Sequence, residues 1–166
     1  MPLGIVSIKN IKNMFLQPED LKNSIYSYQV DQITESDDSI VIQALQVAEE
    51  ECRSYLEANV NIKQNQDGRF IYDVENIFNK VGNARNALIV QYCVTIAKWY
   101  IVELCNADII MEQAKERYDR VITSLKQLAK GDTTLGSLPI KKLEDDPNID
   151  GIKPFSFGSR KKFNHE

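Results

Sequence analysis

The residues able to do chemistry are few, and their spacing gives them little to do together. His165 is the single histidine and lies one residue from the end, where nothing rigid would fix its tautomer. With no second histidine and no C-x-x-C pair, a transition-metal site is not expected. Cys52, Cys93 and Cys105 are odd in number and fall within or at the end of helical patterns, so they read as buried reduced thiols. Gly131 to Gly136 lacks the Lys-Ser/Thr of a phosphate loop, and Gly-x-Ser-x-Gly is absent. Asp67-Gly68 lacks the alternating oxygen ligands and closing Glu of a calcium loop. Carboxylates remain: Glu103, Asp108 and Glu112 near a helix connection, and Glu49, Glu50 and Glu51 on one turn. An enzyme built on Glu103 to Glu112 would need a concave pocket lined by those acids. Acids on helices are commonly just solvated, and the pattern points away from an enzyme and from any cofactor.

Two binding features stand apart. Trp99, between Lys98 and Tyr100, reads as a bundle-edge aromatic rather than a ligand stack. Near the end, Arg160-Lys161-Lys162 is interleaved with Phe155, Phe157 and Phe163, a mixture also found where single strands or phosphates are gripped. The net charge of −4 and pI near 5.2 argue against a general nucleic-acid binder, so the run reads as an interaction tail. Phenylalanines are costly to leave in water, and the tail is expected to dock.

The positioning elements come next. A chain of 166 residues, 27 % charged and 43 % hydrophobic, suits one domain with trailing chain. No apolar run approaches the roughly 20 residues that span a bilayer, and residues 1–10 lack the pattern of a secretory signal. Two long helices between Ala84 and Gly131 form the centre. Leu88, Ile89, Tyr92, Cys93, Ile96, Ala97, Tyr100, Ile101 and Leu104 stripe the first; Ile110, Ala114, Tyr118, Val121, Ile122, Leu125, Leu128 and Ala129 stripe the second. Asn83 could cap the first, and Gly131 stops the second.

The third long helix runs from about Asp37 to Ala58 after a cap at Thr34 or Ser36, with Val41, Ala44, Leu45, Ala48, Cys52, Tyr55 and Leu56 inward. Glu49, Glu50, Glu51, Arg53 and Glu57 make its solvated face. Pro18-Glu19-Asp20-Leu21 opens a short helix to about Tyr26, and Tyr28 to Ile33 crosses to the next element. Val60 and Ile62, Asp67-Gly68, then Phe70-Ile71-Tyr72 suggest a hairpin, and Asp73 to Lys80 a helical turn. The expected fold is all-α: a small antiparallel bundle of three long helices plus a short N-terminal helix. It forms a domain over 1–136 with a hairpin-like insertion at about 59–83, and an extended tail over 137–166.

Pro18-Glu19-Asp20-Leu21, Ser39-Ile40-Val41-Ile42-Gln43-Ala44-Leu45 running on to Tyr55-Leu56, Ile96-Ala97-Lys98-Trp99-Tyr100, Glu116-Arg117-Tyr118-Asp119-Arg120 and Leu125-Lys126-Gln127-Leu128-Ala129-Lys130-Gly131 follow one another in order. With Leu135-Gly136 they resemble the tailed-phage head–tail connector, or head-completion, proteins over roughly residues 15–136. The resemblance implies a helical subunit in a ring, typically of twelve, beneath the portal protein at a capsid vertex. Such a ring extends the DNA channel, carries tail-completion proteins and belongs to the virion after synthesis in the bacterial cytoplasm. DNA would pass without sequence-specific binding, along a lining that the Glu-rich helix could supply, and no membrane is implied.

The insertion and the tail are longer than the family pattern, and they are the expected gripping parts. Phe70, Tyr72 and Trp99 are then candidate contacts between ring copies. Phe155, Phe157, Arg160, Lys161, Lys162 and Phe163 are candidates for docking on a partner. A non-catalytic helical adaptor that binds one protein through its tail is the alternative reading.

Overall fold

The computed structural model describes residues 14–23, 27–35, 37–57, 70–105 and 108–141. Across these the chain is all-α, with five helices and no strand: α1 (Ser27–Ile33), α2 (Asp38–Leu56), α3 (Val74–Phe78), α4 (Ala87–Leu104) and α5 (Asp108–Lys130). Pro18–Asn23 and Gly82–Ala84 are 3-10 turns. The long helices α2, α4 and α5 pack on one another, and α4 touches both partners along its length.

Local chemistry sets where each begins. Asp37 is extended, and its carboxylate accepts the Ser39 N–H at 2.9 Å, satisfying an orphan donor at the start of α2. Neither Thr34 nor Ser36 is that cap. The buried Thr34 instead closes α1, its N–H and hydroxyl both donating to the Val30 carbonyl. That closure is why the stretch expected to cross over at Tyr28 to Ile33 is a helix. The turn opened by Pro18 is 3-10 and ends at Asn23.

At α4 the cap is Asn86, whose side-chain oxygen accepts from Leu88 N–H at 3.0 Å and Ile89 N–H at 3.2 Å. Asn83 cannot serve, since it lies inside a 3-10 turn that Gly82 enters at φ 58° and extended Arg85 leaves. Gly131, at φ 81°, stops α5 with its N–H on the Leu128 carbonyl.

The core follows the stripes. Val41, Ala44, Leu45, Ala48, Cys52 and Leu56 of α2 meet Ile89, Cys93, Ile96, Ala97 and Ile101 of α4, with Val121, Ile122, Leu125 and Leu128 of α5. Leu88 and Leu104, in the end turns of α4, are exposed rather than inward, and Cys105 is only partly buried. By length and composition α4 does pass as a membrane span, a point the sequence reading missed; here it is the hub of the bundle. Phe15, Leu16 and Leu21 extend the core toward α3, where Phe15 and Phe78 rings lie 4.8 Å apart.

Residues 137–141, assigned by sequence to the tail, belong to the body. Leu138 is buried, and Tyr72 and Ile140 form an antiparallel bridge. The proposed Asp-Gly turn and its first strand lie outside the described residues. Tyr72 finds its partner in Ile140, far along the chain.

Candidate functional site

Three separate stretches of chain line one groove. Leu56 and Glu57 end α2; Ile71, Tyr72, Val74 and Glu75 lead into and open α3; Lys141 is the last described residue. Asp73 N–H donates to the Pro139 carbonyl at 2.9 Å, and Lys141 N–H to the Ile71 carbonyl at 2.8 Å. The Leu135 N–H donates to the Tyr72 hydroxyl oxygen at 2.8 Å, so the Tyr72 side chain holds one flank of the loop over 135–140 and the backbone bonds beside it hold the other. Tyr72 is 5 % exposed and internal, so the surface beside the bridge comes from Phe70, 44 % exposed, and Ile140, 40 % exposed.

A second cluster ties the three long helices together. The two oxygens of Glu51 on α2 accept the Tyr100 hydroxyl of α4 at 3.1 Å and the Tyr118 hydroxyl of α5 at 2.8 Å. Burial, then the Glu51 hydrogen bond and charge, push the Tyr118 phenol far above its ordinary range; burial and Glu51 raise Tyr100 as well. Trp99, half-buried, stacks on Tyr118 with ring centroids 5.6 Å apart. Glu51 is therefore a structural acceptor, where the sequence suggested a solvated acid. The available signal was the pair of tyrosines inside the two apolar stripes, whose hydroxyls needed an acceptor at the stripe's edge.

Arg85 makes a second long-range tie. Its guanidinium is bidentate to Asp20, at 2.6 and 2.9 Å, donates to the Phe15 carbonyl at 2.7 Å and to the Gly82 carbonyl at 3.0 Å. Burial raises the Asp20 carboxyl, but the Arg85 and Gln17 hydrogen bonds outweigh it, leaving the group below its ordinary value. Arg53 lies over the Phe78 ring, 4.7 Å from its centroid, and pairs with Glu75 at 2.9 Å and Glu49 at 3.6 Å. Burial raises the Glu49 carboxyl against the pull of Arg53.

The acids singled out in the sequence take separate places. Glu49, Glu50 and Glu51 go three ways: to Arg53, to solvent and to the tyrosines. Glu103 and Glu112 are both exposed. Among the described residues, no group of three or more His, Cys, Asp or Glu is placed to hold a metal ion. Phe155, Phe157, Arg160, Lys161, Lys162 and Phe163 lie outside the described residues. No protein-family model, no curated protein and no solved structure matches this chain.

Proposed function

We propose that this chain is a structural virion protein, a non-catalytic head–tail connector subunit that forms a ring under the portal protein. In this reading α2, α4 and α5 form a small antiparallel bundle, and the hairpin-like insertion and the tail make the contacts to neighbouring copies, the portal and tail-completion proteins. The ring lengthens the DNA channel without sequence-specific binding and joins capsid to tail. No cofactor, metal or membrane takes part, and the subunit reaches the virion from the bacterial cytoplasm.

The observation that carries the reading is the groove at Leu56, Glu57, Ile71 and Lys141. Both segments that exceed the connector pattern, the insertion at about 59–83 and the tail past Gly136, contribute residues to it, Ile71 to Glu75 and Lys141, beside a core cross-tied at Glu51 and Arg85. A rigid body with two such segments rooted in one place suits an assembly part, since segments that order on binding bury large surfaces. Of the glutamates on α2 and at its C-cap, Glu50 and Glu57 are the ones exposed enough to face a channel; Glu49 and Glu51 are engaged.

The deciding experiment mixes the purified protein with portal complexes isolated from virions and images both the mixture and the protein alone by electron microscopy. A ring stacked on the portal is the expected result. A monodisperse monomer that ignores the portal would sink the connector reading and leave the tail-binding adaptor in its place.

A further inference from the structure

Helix α2 ends on an acid at its electrically negative end. Glu57 is the C-cap residue, where the macrodipole and the last carbonyls disfavour a carboxylate, and it is exposed and makes no ion pair among the described residues. Across the groove Glu75 is 67 % exposed even while bonded to Arg53. The floor between them is apolar: Leu56, Tyr72 and Val74 are all buried. Phe70 and Ile140, next in sequence to two lining residues, add exposed apolar surface. Two cations stand beside these acids. Arg53 is held by Glu49, Glu75 and the Phe78 ring, and Lys141 lies exposed on the rim. With Glu75 engaged by Arg53, the exposed Glu57 carboxylate beside the apolar surface of Phe70 and Ile140 fits a ligand that combines cations with aromatic rings.

We propose that the groove is occupied by residues 151–163 of the same chain. That segment holds Lys153, Arg160, Lys161 and Lys162 with no acid, interleaved with Phe155, Phe157 and Phe163. Its cations answer Glu57 and the end of α2, and its rings cover Phe70 and Ile140. Reach is ample, because chain from Lys141 to Phe157 spans roughly 50 Å when extended. Lys141, the last described residue, lies on the groove's own rim, so tethering sets an effective concentration on the order of millimolar. In dilute solution that favours a chain's own tail over the tail of another copy. The inference concerns the isolated chain and stands or falls apart from the connector reading.

The test uses the full chain with photoreactive benzoyl-phenylalanine in place of Phe157, prepared with light and heavy isotopes, mixed in equal parts and irradiated. Mass spectrometry locates the cross-links. The expected products join position 157 to the peptides over 54–57 or 71–75, light to light and heavy to heavy. Their yield should fall severalfold at roughly 1 M salt, where the screening length is about 3 Å. It should fall likewise with Glu57→Lys, which leaves circular dichroism unchanged, and recover when Lys161→Glu is added. Light–heavy products would make a second copy the occupant and overturn the proposal. So would cross-links elsewhere, no cross-links, or a yield indifferent to Glu57→Lys.

Discussion

Tyr72 lies opposite Ile140 in a bridge bonded through its neighbours Ile71 and Asp73, and its hydroxyl accepts the Leu135 N–H, so this one position closes both ends of the last described loop. Tyr72→Phe leaves the Leu135 N–H without that acceptor and should cost about 1 kcal/mol in chemical denaturation. Tyr72→Ala also empties a buried ring site and should cost about 3–5 kcal/mol. Hydrogen exchange reports the location: the Lys141 amide, bonded to the Ile71 carbonyl, should lose protection in the alanine variant well before the α4 amides do. Equal loss everywhere would mean that Tyr72 supports the global core rather than this closure.

Glu51 accepts hydroxyls from two other helices. Glu51→Ala should therefore cost about 2–3 kcal/mol, while Glu51→Gln, which keeps an acceptor but loses the charge, should cost less. Tyrosine ionisation followed by ultraviolet absorbance separates charge from packing. In the native chain Tyr118 and Tyr100 should ionise later than ordinary tyrosines, and Glu51→Gln should bring both down. A phenol raised on folding contributes stability that is whole below its unfolded value near 10 and is lost as pH climbs through the folded one. The fall in stability above about pH 10 should thus be shallower in Glu51→Gln than in the native chain; an unchanged titration would remove Glu51 as a cause beside burial.

What the sequence made legible was periodicity. The inward set of α2, Val41, Ala44, Leu45, Ala48, Cys52 and Leu56, is buried as its spacing implies, since a helix with one covered face repeats its apolar residues every three or four positions. What it hid were contacts without a period. Arg85 is a single charge whose partner lies sixty-five residues away, and nothing in the local pattern names Asp20. Helix α1 was missed because SYQVDQI carries no acid-led start, and its closure depends on the Thr34 hydroxyl together with packing of the segment on α4. The groove was invisible for the same reason: its walls, at Leu56, Ile71 and Lys141, are brought together by the bridge at Tyr72 and the Arg53–Glu75 ion pair.

The Asp20–Arg85 pair sets an acid-side limit. Asp20 lies below its ordinary value, so its contribution is whole above the unfolded value near 4 and is lost as pH falls through the folded one. Glu49 runs the other way: raised by burial, it takes a proton more readily when folded and adds stability as pH drops toward its own range. Asp20→Asn should cost about 1–3 kcal/mol at neutral pH, because Arg85 keeps its carbonyl contacts but loses a charged partner. It should also flatten the fall in melting temperature below about pH 4. A variant with the wild-type acid limb would show that other carboxylates set it.

The boundary at Lys141 sharpens the truncation that tests assembly. Removing residues 137–166 also removes buried Leu138 and the Ile140 bridge, and should destabilise the body by about 2–4 kcal/mol. Removing residues 142–166 spares both, so the bundle should melt within a few degrees of the full chain by circular dichroism. On the connector reading the shorter deletion should nevertheless fail to join portal complexes in electron micrographs, since it takes away Phe155, Phe157, Arg160, Lys161, Lys162 and Phe163 while leaving the fold in place. If it joined them as the full chain does, the docking role of the tail would be refuted, and the contact would have to come from the remaining surface around Phe70 and the half-buried Trp99.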